Sequence, residues 1–177
     1  MKSVTVGVSD CRFSEHPDTV LVTYALGSCI AVSIHDPALK IGGLLHYMLP
    51  ESSLHGERAD RNPFMFADSG IHSMLRALSL KGVNPRRSVV KLAGGASVMN
   101  CVDIFEIGKR NYLAAKKVLW KEGLLISAEA VGGAVSRTVR LDVETGKFFI
   151  REAGGSDVEL TEARKGVANG TARSDRR

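Results

Sequence analysis

The sequence contains few cysteines and no long apolar run. Its three cysteines, Cys11, Cys29 and Cys101, have no paired spacing in a chain of 177 residues. An odd, scattered set argues against a disulfide-stapled secreted domain and predicts a reducing compartment. No apolar run approaches the ~20 residues of a membrane-spanning helix, and the first residues lack the apolar segment of a signal peptide. We therefore expect a cytoplasmic protein with no integral membrane segment.

Ligand spacings typical of metal and nucleotide sites are also missing. The sequence has neither His-x-x-x-His nor Cys-x-x-Cys, although it contains five histidines. Closely spaced ligands of this kind mark zinc sites, so we expect no metal. The pair Gly94-Gly95 follows an apolar run, but no Gly-x-Gly-x-x-Gly or Lys-Ser/Thr ending accompanies it. The pair therefore predicts a tight turn near the site, and we expect no cofactor.

The positive charge is concentrated at the carboxyl end. The formal net charge is +5, and residues 161–177 contribute +3 of it without a single aromatic residue. Such a segment is more typical of a solvated extension than of a nucleic-acid reader, so we expect no nucleic-acid partner. The length and the hydrophobic fraction of 44% suit one ordinary core. We predict a single catalytic domain over residues 1–160 and a basic, flexible tail over 161–177.

The apolar pattern predicts an α/β protein of the α+β type, rich in strands and with two long helices. The first helix is predicted after Asn62 as N-cap and Pro63 as first helical residue, ending at Gly82. The second opens with the reciprocal cap Asp103-x-x-Glu106 and ends at Gly123. The predicted strands are 3–8, 20–26, 29–35, 41–48, 87–93, 124–130, 137–143 and 147–151. Residues 9–18 and 51–60 are predicted as polar connections. Because strands and helices do not alternate regularly, we expect helices packed on a mixed or antiparallel sheet system.

A corner at Gly27-Ser28 separates two apolar runs, and Cys29 is the first side chain beyond it. Gly27 tolerates the unusual backbone conformation that a tight bend needs. The amides of Ser28 and Cys29 lie outside any predicted ladder and are free to face a ligand. The corner therefore predicts a cysteine held outward beside unpaired N–H groups, as a nucleophile requires.

His46 lies at the end of the next apolar run. The turn signal Asp36-Pro37-Ala38 predicts a hairpin that returns His46 towards Cys29. A neighbouring imidazole would stabilise a thiolate and lower the Cys29 pKa below its free value of about 8.5. Two simpler interpretations stay open, because an apolar-strand cysteine is commonly an inert hydrophobe and a strand-end histidine commonly an ordinary polar residue.

The corner and several downstream motifs together resemble the chemoreceptor glutamine deamidase family, CheD. The motifs follow one another in the family's order: Thr23-x-x-x-Gly27-Ser28-Cys29, His46-x-x-Leu49-Pro50, Gly94-Gly95-Ala96, Ile107-Gly108-x-Arg110-Asn111, Gly132-Gly133-x-x-x-Arg137 and Glu144-Thr145-Gly146. The resemblance implies a fold similar to the cysteine-dependent toxin deamidases. Ala25 departs from it, because many members have glycine there, and Met65-Phe66-Ala67-Asp68 matches only in part.

The resemblance also implies a function. It implies hydrolysis of glutamine side-chain amides on chemotaxis receptors by a catalytic set of Cys29, His46 and Thr23, with a CheC-type phosphatase as a partner in some organisms. In the mechanism we infer, Cys29 forms a thioester, the corner at Gly27 and Ser28 stabilises the oxyanion, and the new negative charge tunes signalling at receptor arrays. The substrate-binding residues are not predicted. Two alternatives stay open: a non-catalytic module that binds receptors or a phosphatase, and a general amidase or protease.

Overall fold

The computed structural model describes residues 1–53, 55–97 and 106–161. Within these ranges the chain forms ten strands and three α-helices. The strands are β1 (Lys2–Thr5), β2 (Asp10–Ser14), β3 (Thr19–Leu26), β4 (Ile30–Asp36), β5 (Ile41–Tyr47), β6 (Val89–Gly94), β7 (Ile126–Val131), β8 (Arg137–Asp142), β9 (Phe148–Glu152) and β10 (Val158–Glu159). The helices are α1 (Gly56–Arg61), α2 (Ala67–Leu80) and α3 (Ile107–Lys121). Short 3₁₀ turns occupy Pro63–Met65 and Pro85–Arg87.

The strands form two five-stranded sheets. The first sheet has the order β1-β3-β8-β9-β10, and the second has the order β2-β5-β4-β6-β7. One neighbouring pair in each sheet is parallel, β1 with β3 and β6 with β7, and the other pairs are antiparallel. The predicted α+β class, with mixed sheets and two long helices packed on them, is confirmed.

The second sheet lies in the middle of the molecule. One apolar cluster joins it to the first sheet and includes Leu21, Ala31, Leu44 and Leu141. A second cluster joins its other face to α2 and α3. Every residue of β4 and β5 is buried as a result. This two-sided burial explains why both strands appear in the sequence as nearly continuous apolar runs without clear alternation.

The predicted hairpin is present, and two elements predicted as connections are regular. β4 pairs antiparallel with β5, as expected from the turn at Asp36-Pro37-Ala38. Residues 10–14, predicted as connection, form β2 at the edge of the second sheet, where Cys11 is buried opposite Leu45. Residues 56–61, predicted as loop, form α1. Both elements are short and polar, so their sequences carry too little apolar periodicity to reveal them.

The first long helix begins later than predicted. Asn62 does act as a cap, since its Oδ1 accepts a hydrogen bond from the Phe64 amide at 3.0 Å, but it caps the 3₁₀ turn Pro63–Met65. Phe66 is extended and forms a parallel bridge with Leu49. This bridge interrupts the helical conformation, so α2 starts at Ala67.

Two predictions fall on parts of the chain beyond the described ranges. Asp103 of the predicted reciprocal cap lies outside them, and so does the predicted tail apart from its first residue. α3 begins at Ile107, and Glu106 before it has φ of 39°.

Among the described residues, no helix combines the length and apolar character needed to cross a membrane.

The strained backbone of the corner lies at Ala25. Its φ is 55°, and the β3–β8 register shifts between Thr23 and Leu26. Left-handed conformations at L-residues cost roughly 1–2 kcal/mol, a cost that glycine avoids. This explains why glycine is expected there in relatives. The expectation that Gly27 supplies the unusual conformation is wrong, because Gly27 is not among the residues with positive φ.

Replacing Ala25 with glycine should therefore stabilise the fold. We expect a gain of about 0.5–1 kcal/mol in the free energy of unfolding, the relief of strain exceeding the extra flexibility of the unfolded chain. Urea denaturation would measure it. Ala38→Gly is a matched control in an exposed turn without positive φ, and it should be neutral or destabilising. Equal effects of the two substitutions would contradict the strain at Ala25.

Candidate active site

Thr23 and His46 form a buried hydrogen bond between the two sheets. Thr23 belongs to β3 of the first sheet and His46 to β5 of the second, and each is 1% exposed. Thr23 Oγ1 lies 2.7 Å from His46 Nδ1. The bond occupies one ring nitrogen and fixes the plane of the imidazole. The other ring nitrogen, Nε2, is buried and has no hydrogen-bond partner among the described residues.

Cys29 lies on the same face of the second sheet as His46. The β4–β5 register pairs Ala31 with His46, and Cys29 precedes Ala31 by two residues. Alternate residues of a strand point to the same face, so Cys29 is a diagonal neighbour of His46. Cys29 is half-buried and packs against the cluster between the sheets. The fold therefore brings the three predicted catalytic residues to one end of the inter-sheet layer, with no hydrogen bond between Cys29 and His46.

The corner that carries Cys29 is held by its carbonyl groups. The Gly27 carbonyl accepts a bond of 2.8 Å from the Ala96 amide, and the Cys29 carbonyl accepts one of 2.8 Å from the Gly95 amide. Within the described ranges, the Ser28 amide donates no hydrogen bond, and the Cys29 amide donates none to another backbone group. The Ser28 N–H group next to the thiol therefore has no partner among the described residues, whereas the Cys29 N–H group bonds the sulfur of its own residue.

Close backbone contacts explain the glycines opposite the corner. Gly94 has φ of 114°, and a Cβ added there would overlap the Cys29 carbonyl oxygen. A Cβ on Gly108 of α3 would come within 2.6 Å of the Gly95 carbonyl oxygen. Side chains at these two positions would push β6 or α3 away from the corner. Gly94, part of the pair predicted to form a tight turn near the site, therefore serves close approach of backbone to backbone, and so does Gly108.

Burial makes the resting pair electrically neutral. It lowers the pKa of His46 from 6.5 to about 4. Burial also raises the pKa of the Cys29 thiol, and the bond that its own backbone amide gives to the sulfur compensates only in part. The prediction that His46 lowers the Cys29 pKa is therefore wrong. Desolvation disfavours both charged forms, so burial favours a neutral thiol and a neutral imidazole over a thiolate–imidazolium pair.

The described residues contain no metal-binding cluster. Nowhere in ranges 1–53, 55–97 and 106–161 do three His, Cys, Asp or Glu side chains come together in such an arrangement.

Asn111 is the residue at the corner to which sequence analysis gave no role. It lies in a motif, but the carbonyl groups that it contacts, those of Ser28 and Met48, are distant in sequence, so its partners could not be named.

Comparison with known proteins identifies the family. The family described as CheD chemotactic sensory transduction matches residues 48–152. A probable chemoreceptor glutamine deamidase CheD of Solibacter usitatus is 52% identical over 154 residues, covering 87% of this chain and 91% of that protein. The chain belongs to the CheD family. A probable CheD 1 of Syntrophus aciditrophicus is 48% identical over 160 residues, covering 90% and 100%. One from Thermococcus kodakarensis is 37% identical over 157 residues, covering 88% and 96%.

The region matched by the CheD family model contains the motifs that follow the corner in the sequence. Gly94, Gly108, Asn111 and Arg137 all lie within residues 48–152. Thr23, Cys29 and His46 precede this range. The family model therefore does not cover these three residues.

Proposed function

We propose that this protein hydrolyses glutamine side-chain amides of chemoreceptors to glutamate, with Cys29 as the nucleophile. The observation that supports this most is the buried Thr23–His46 bond, which leaves Nε2 without a partner on the face that carries Cys29. When Nδ1 carries the hydrogen and donates it to Thr23 Oγ1, Nε2 presents a lone pair to the site. A histidine in this form is a general base for a neighbouring thiol.

The first chemical step forms a thioester. The Cys29 sulfur attacks the glutamine carboxamide carbon as its proton passes to His46 Nε2. The oxygen of the tetrahedral intermediate accepts a bond from the free Ser28 amide, and the Cys29 amide, which bonds the sulfur in the resting state, is the second donor. His46 then gives its proton to the amide nitrogen, the C–N bond breaks and ammonia leaves. Because the resting pair is neutral, proton transfer accompanies the attack.

The second step releases glutamate. His46 Nε2, neutral again after ammonia has left, accepts a proton from water as the water oxygen attacks the thioester carbon. The C–S bond breaks, and His46 returns the proton to the Cys29 sulfur. The product carries one more negative charge than the substrate at neutral pH, which changes repulsion between neighbouring receptor helices and so tunes signalling.

The setting of the site suits a protein substrate. Cys29 is only half-buried at a corner, so its side chain is partly accessible at the surface. A glutamine on a receptor helix can reach such a position without unfolding. The proposal places the protein in the cytoplasm, at receptor arrays on the inner face of the membrane, with a CheC-type phosphatase as a further partner. Each relative named above is called a probable chemoreceptor glutamine deamidase.

Incubation with cytoplasmic fragments of chemoreceptors tests the proposal. Peptide mass spectrometry should detect conversion of specific glutamines to glutamate, together with release of ammonia. A receptor fragment incubated alone is the control for spontaneous deamidation. If no glutamine is converted on any receptor from the same organism, the proposal is wrong.

Removing the Thr23 hydroxyl should reduce activity without abolishing it. Thr23→Val keeps the shape but deletes the partner of His46 Nδ1, so the imidazole loses its fixed tautomer and plane. We expect kcat to fall about 10–100-fold, because orienting a base contributes less than supplying one. Thr23→Ser keeps the hydroxyl and should stay within a few-fold of the wild type. Steady-state ammonia release on a glutamine peptide would measure both, and wild-type kcat in Thr23→Val would remove Thr23 from the mechanism.

A further inference from the structure

Asn111 of α3 connects the two chain segments that carry Cys29 and His46. Its side chain is fully buried. Nδ2 donates one hydrogen bond of 3.0 Å to the Ser28 carbonyl and another of 2.9 Å to the Met48 carbonyl. Ser28 immediately precedes Cys29, and Met48 follows His46 by two residues. A single amide group therefore ties these two segments together just beyond the Ile30–Tyr47 end of the β4–β5 ladder.

The orientation of the Asn111 amide follows from its partners. Both partners are carbonyl oxygens, which only accept hydrogen bonds, so the NH₂ group must face them. The Oδ1 atom is then buried and has no hydrogen-bond partner among the described residues. Unpaired buried acceptors are unfavourable and uncommon in folded proteins. The side chain thus bonds both site segments although one of its own polar atoms stays unpaired. An unpaired buried oxygen costs stability, so a contribution to stability alone does not explain an asparagine at this position.

The helix that carries Asn111 is itself anchored to the corner. The Tyr47 hydroxyl donates a bond of 2.7 Å to the Asn111 carbonyl. Gly108, three residues earlier on the same helix face, packs against Gly95. The Gly95 amide in turn bonds the Cys29 carbonyl at 2.8 Å. These contacts restrain α3 against the corner. The Asn111 side chain is therefore held in a fixed position from which it bonds both segments.

We propose that Asn111 is a positioning residue that sets the geometry between the Cys29 sulfur and His46 Nε2. The inference rests on the proposed function, since it concerns the same reaction. Neither contact of the Nδ2 group reaches a reacting atom, and both are to backbone flanking the pair. Loss of the amide would let the corner and the end of β5 move relative to each other. The chemical step is then slowed while substrate binding is preserved, because misplacement by about 1 Å can cost on the order of 100-fold in rate.

Kinetics of two Asn111 variants test this role. Asn111→Ala removes the amide, and Asn111→Asp keeps its shape while replacing the two N–H donors by an oxygen. With a glutamine peptide, at a temperature where circular dichroism shows folded protein, kcat should fall about 10–100-fold for each variant. KM should stay within about twofold of the wild type. Cys29 alkylation by iodoacetamide should continue at a rate within a few-fold of the wild type, since the thiol itself is unaltered.

Ser33→Ala is the matched control. Ser33 is also buried and lies on β4, the strand that follows the corner. Its hydroxyl donates a hydrogen bond to the Lys91 carbonyl at 3.4 Å. Its loss removes a buried bond to a carbonyl without touching Ser28 or Met48, so kcat should be retained. The inference is overturned if the Asn111 variants keep the kcat of Ser33→Ala. It is overturned equally if neither Asn111 variant folds, because the side chain then serves the fold.

Failure of this inference is distinguishable from failure of the proposed function. If Cys29→Ala abolishes deamidation but the Asn111 variants are fully active, only the positioning role is wrong. If Cys29→Ala itself retains deamidation, the assignment of the reaction to this corner is wrong, and the role of Asn111 falls with it.

Discussion

Cys29→Ala should abolish deamidation of receptor glutamines. Without the sulfur no thioester forms, and no other nucleophile among the described residues is assigned to the corner. We expect kcat to fall at least ~10⁴-fold, as is typical when the nucleophile of a coupled catalytic set is removed. The fold should be kept, because the half-buried side chain loses a single heavy atom immediately before β4. Mass spectrometry of the receptor fragment and thermal unfolding would measure the two effects.

Cys11→Ala is the matched control for this variant. Cys11 is 7% exposed on β2, and burial strongly raises the pKa of its thiol. Its replacement should cost some stability but leave kcat within about twofold of the wild type. Deamidation that persists in Cys29→Ala would contradict the proposed mechanism. Receptor binding without any activity in the wild-type protein would instead favour the non-catalytic interaction module.

The hairpin of the site could be predicted from sequence because its information is local. Asp36-Pro37-Ala38 marks the turn, and the strands on either side are close in the chain, so the return of His46 towards Cys29 follows directly. β2 and α1 could not be predicted in this way. β2 is stabilised by pairing with β5, a contact that joins residues more than 25 positions apart, and short polar segments carry no signal for such pairing.

The contact between Thr23 and His46 depends on how the two sheets face each other. Nothing in the spacing of residues 23 and 46 predicts that they lie on different sheets, and their pairing was implied only by the family resemblance. Packing of the sheets also creates the burial that controls the pKa values. A sequence shows that a histidine and a cysteine can approach, but desolvation is a property of the completed fold. For this reason the predicted thiolate was wrong although the predicted neighbours share one face.

His46→Ala should remove activity while leaving the reactivity of the Cys29 thiol nearly unchanged. The base and the proton donor to ammonia are lost together, so we expect kcat to fall ~10³-fold or more. His46→Asn keeps a polar partner for the buried Thr23 hydroxyl and should be equally inactive. His35→Asn is the matched control, since His35 is also buried and bonds across the sheets, to the Val143 carbonyl at 2.9 Å. It should keep the wild-type kcat.

The pH dependence of the wild type follows from the same burial. His46 accepts a proton only when neutral, and its pKa of about 4 keeps it neutral at higher pH. The acid limb of kcat/KM should therefore lie near pH 4, instead of the pH of about 6.5 expected for an ordinary histidine. Rates of ammonia release from a glutamine peptide between pH 3.5 and 8 would locate it. An acid limb near 6.5 would show that His46 is not desolvated in the working enzyme.

Alkylation of Cys29 across pH distinguishes a neutral pair from an ion pair. With a neutral pair, the midpoint of the iodoacetamide profile should lie above the free-cysteine value of about 8.5, because burial raises the Cys29 pKa. His46→Ala should leave this midpoint unchanged or lower it slightly, since a smaller side chain lets water approach the sulfur. An ion pair requires the opposite: a wild-type midpoint below 8.5 that rises when the imidazolium is removed. Peptide-resolved alkylation rates for both proteins would decide between them, and an upward shift in His46→Ala would contradict the neutral resting state.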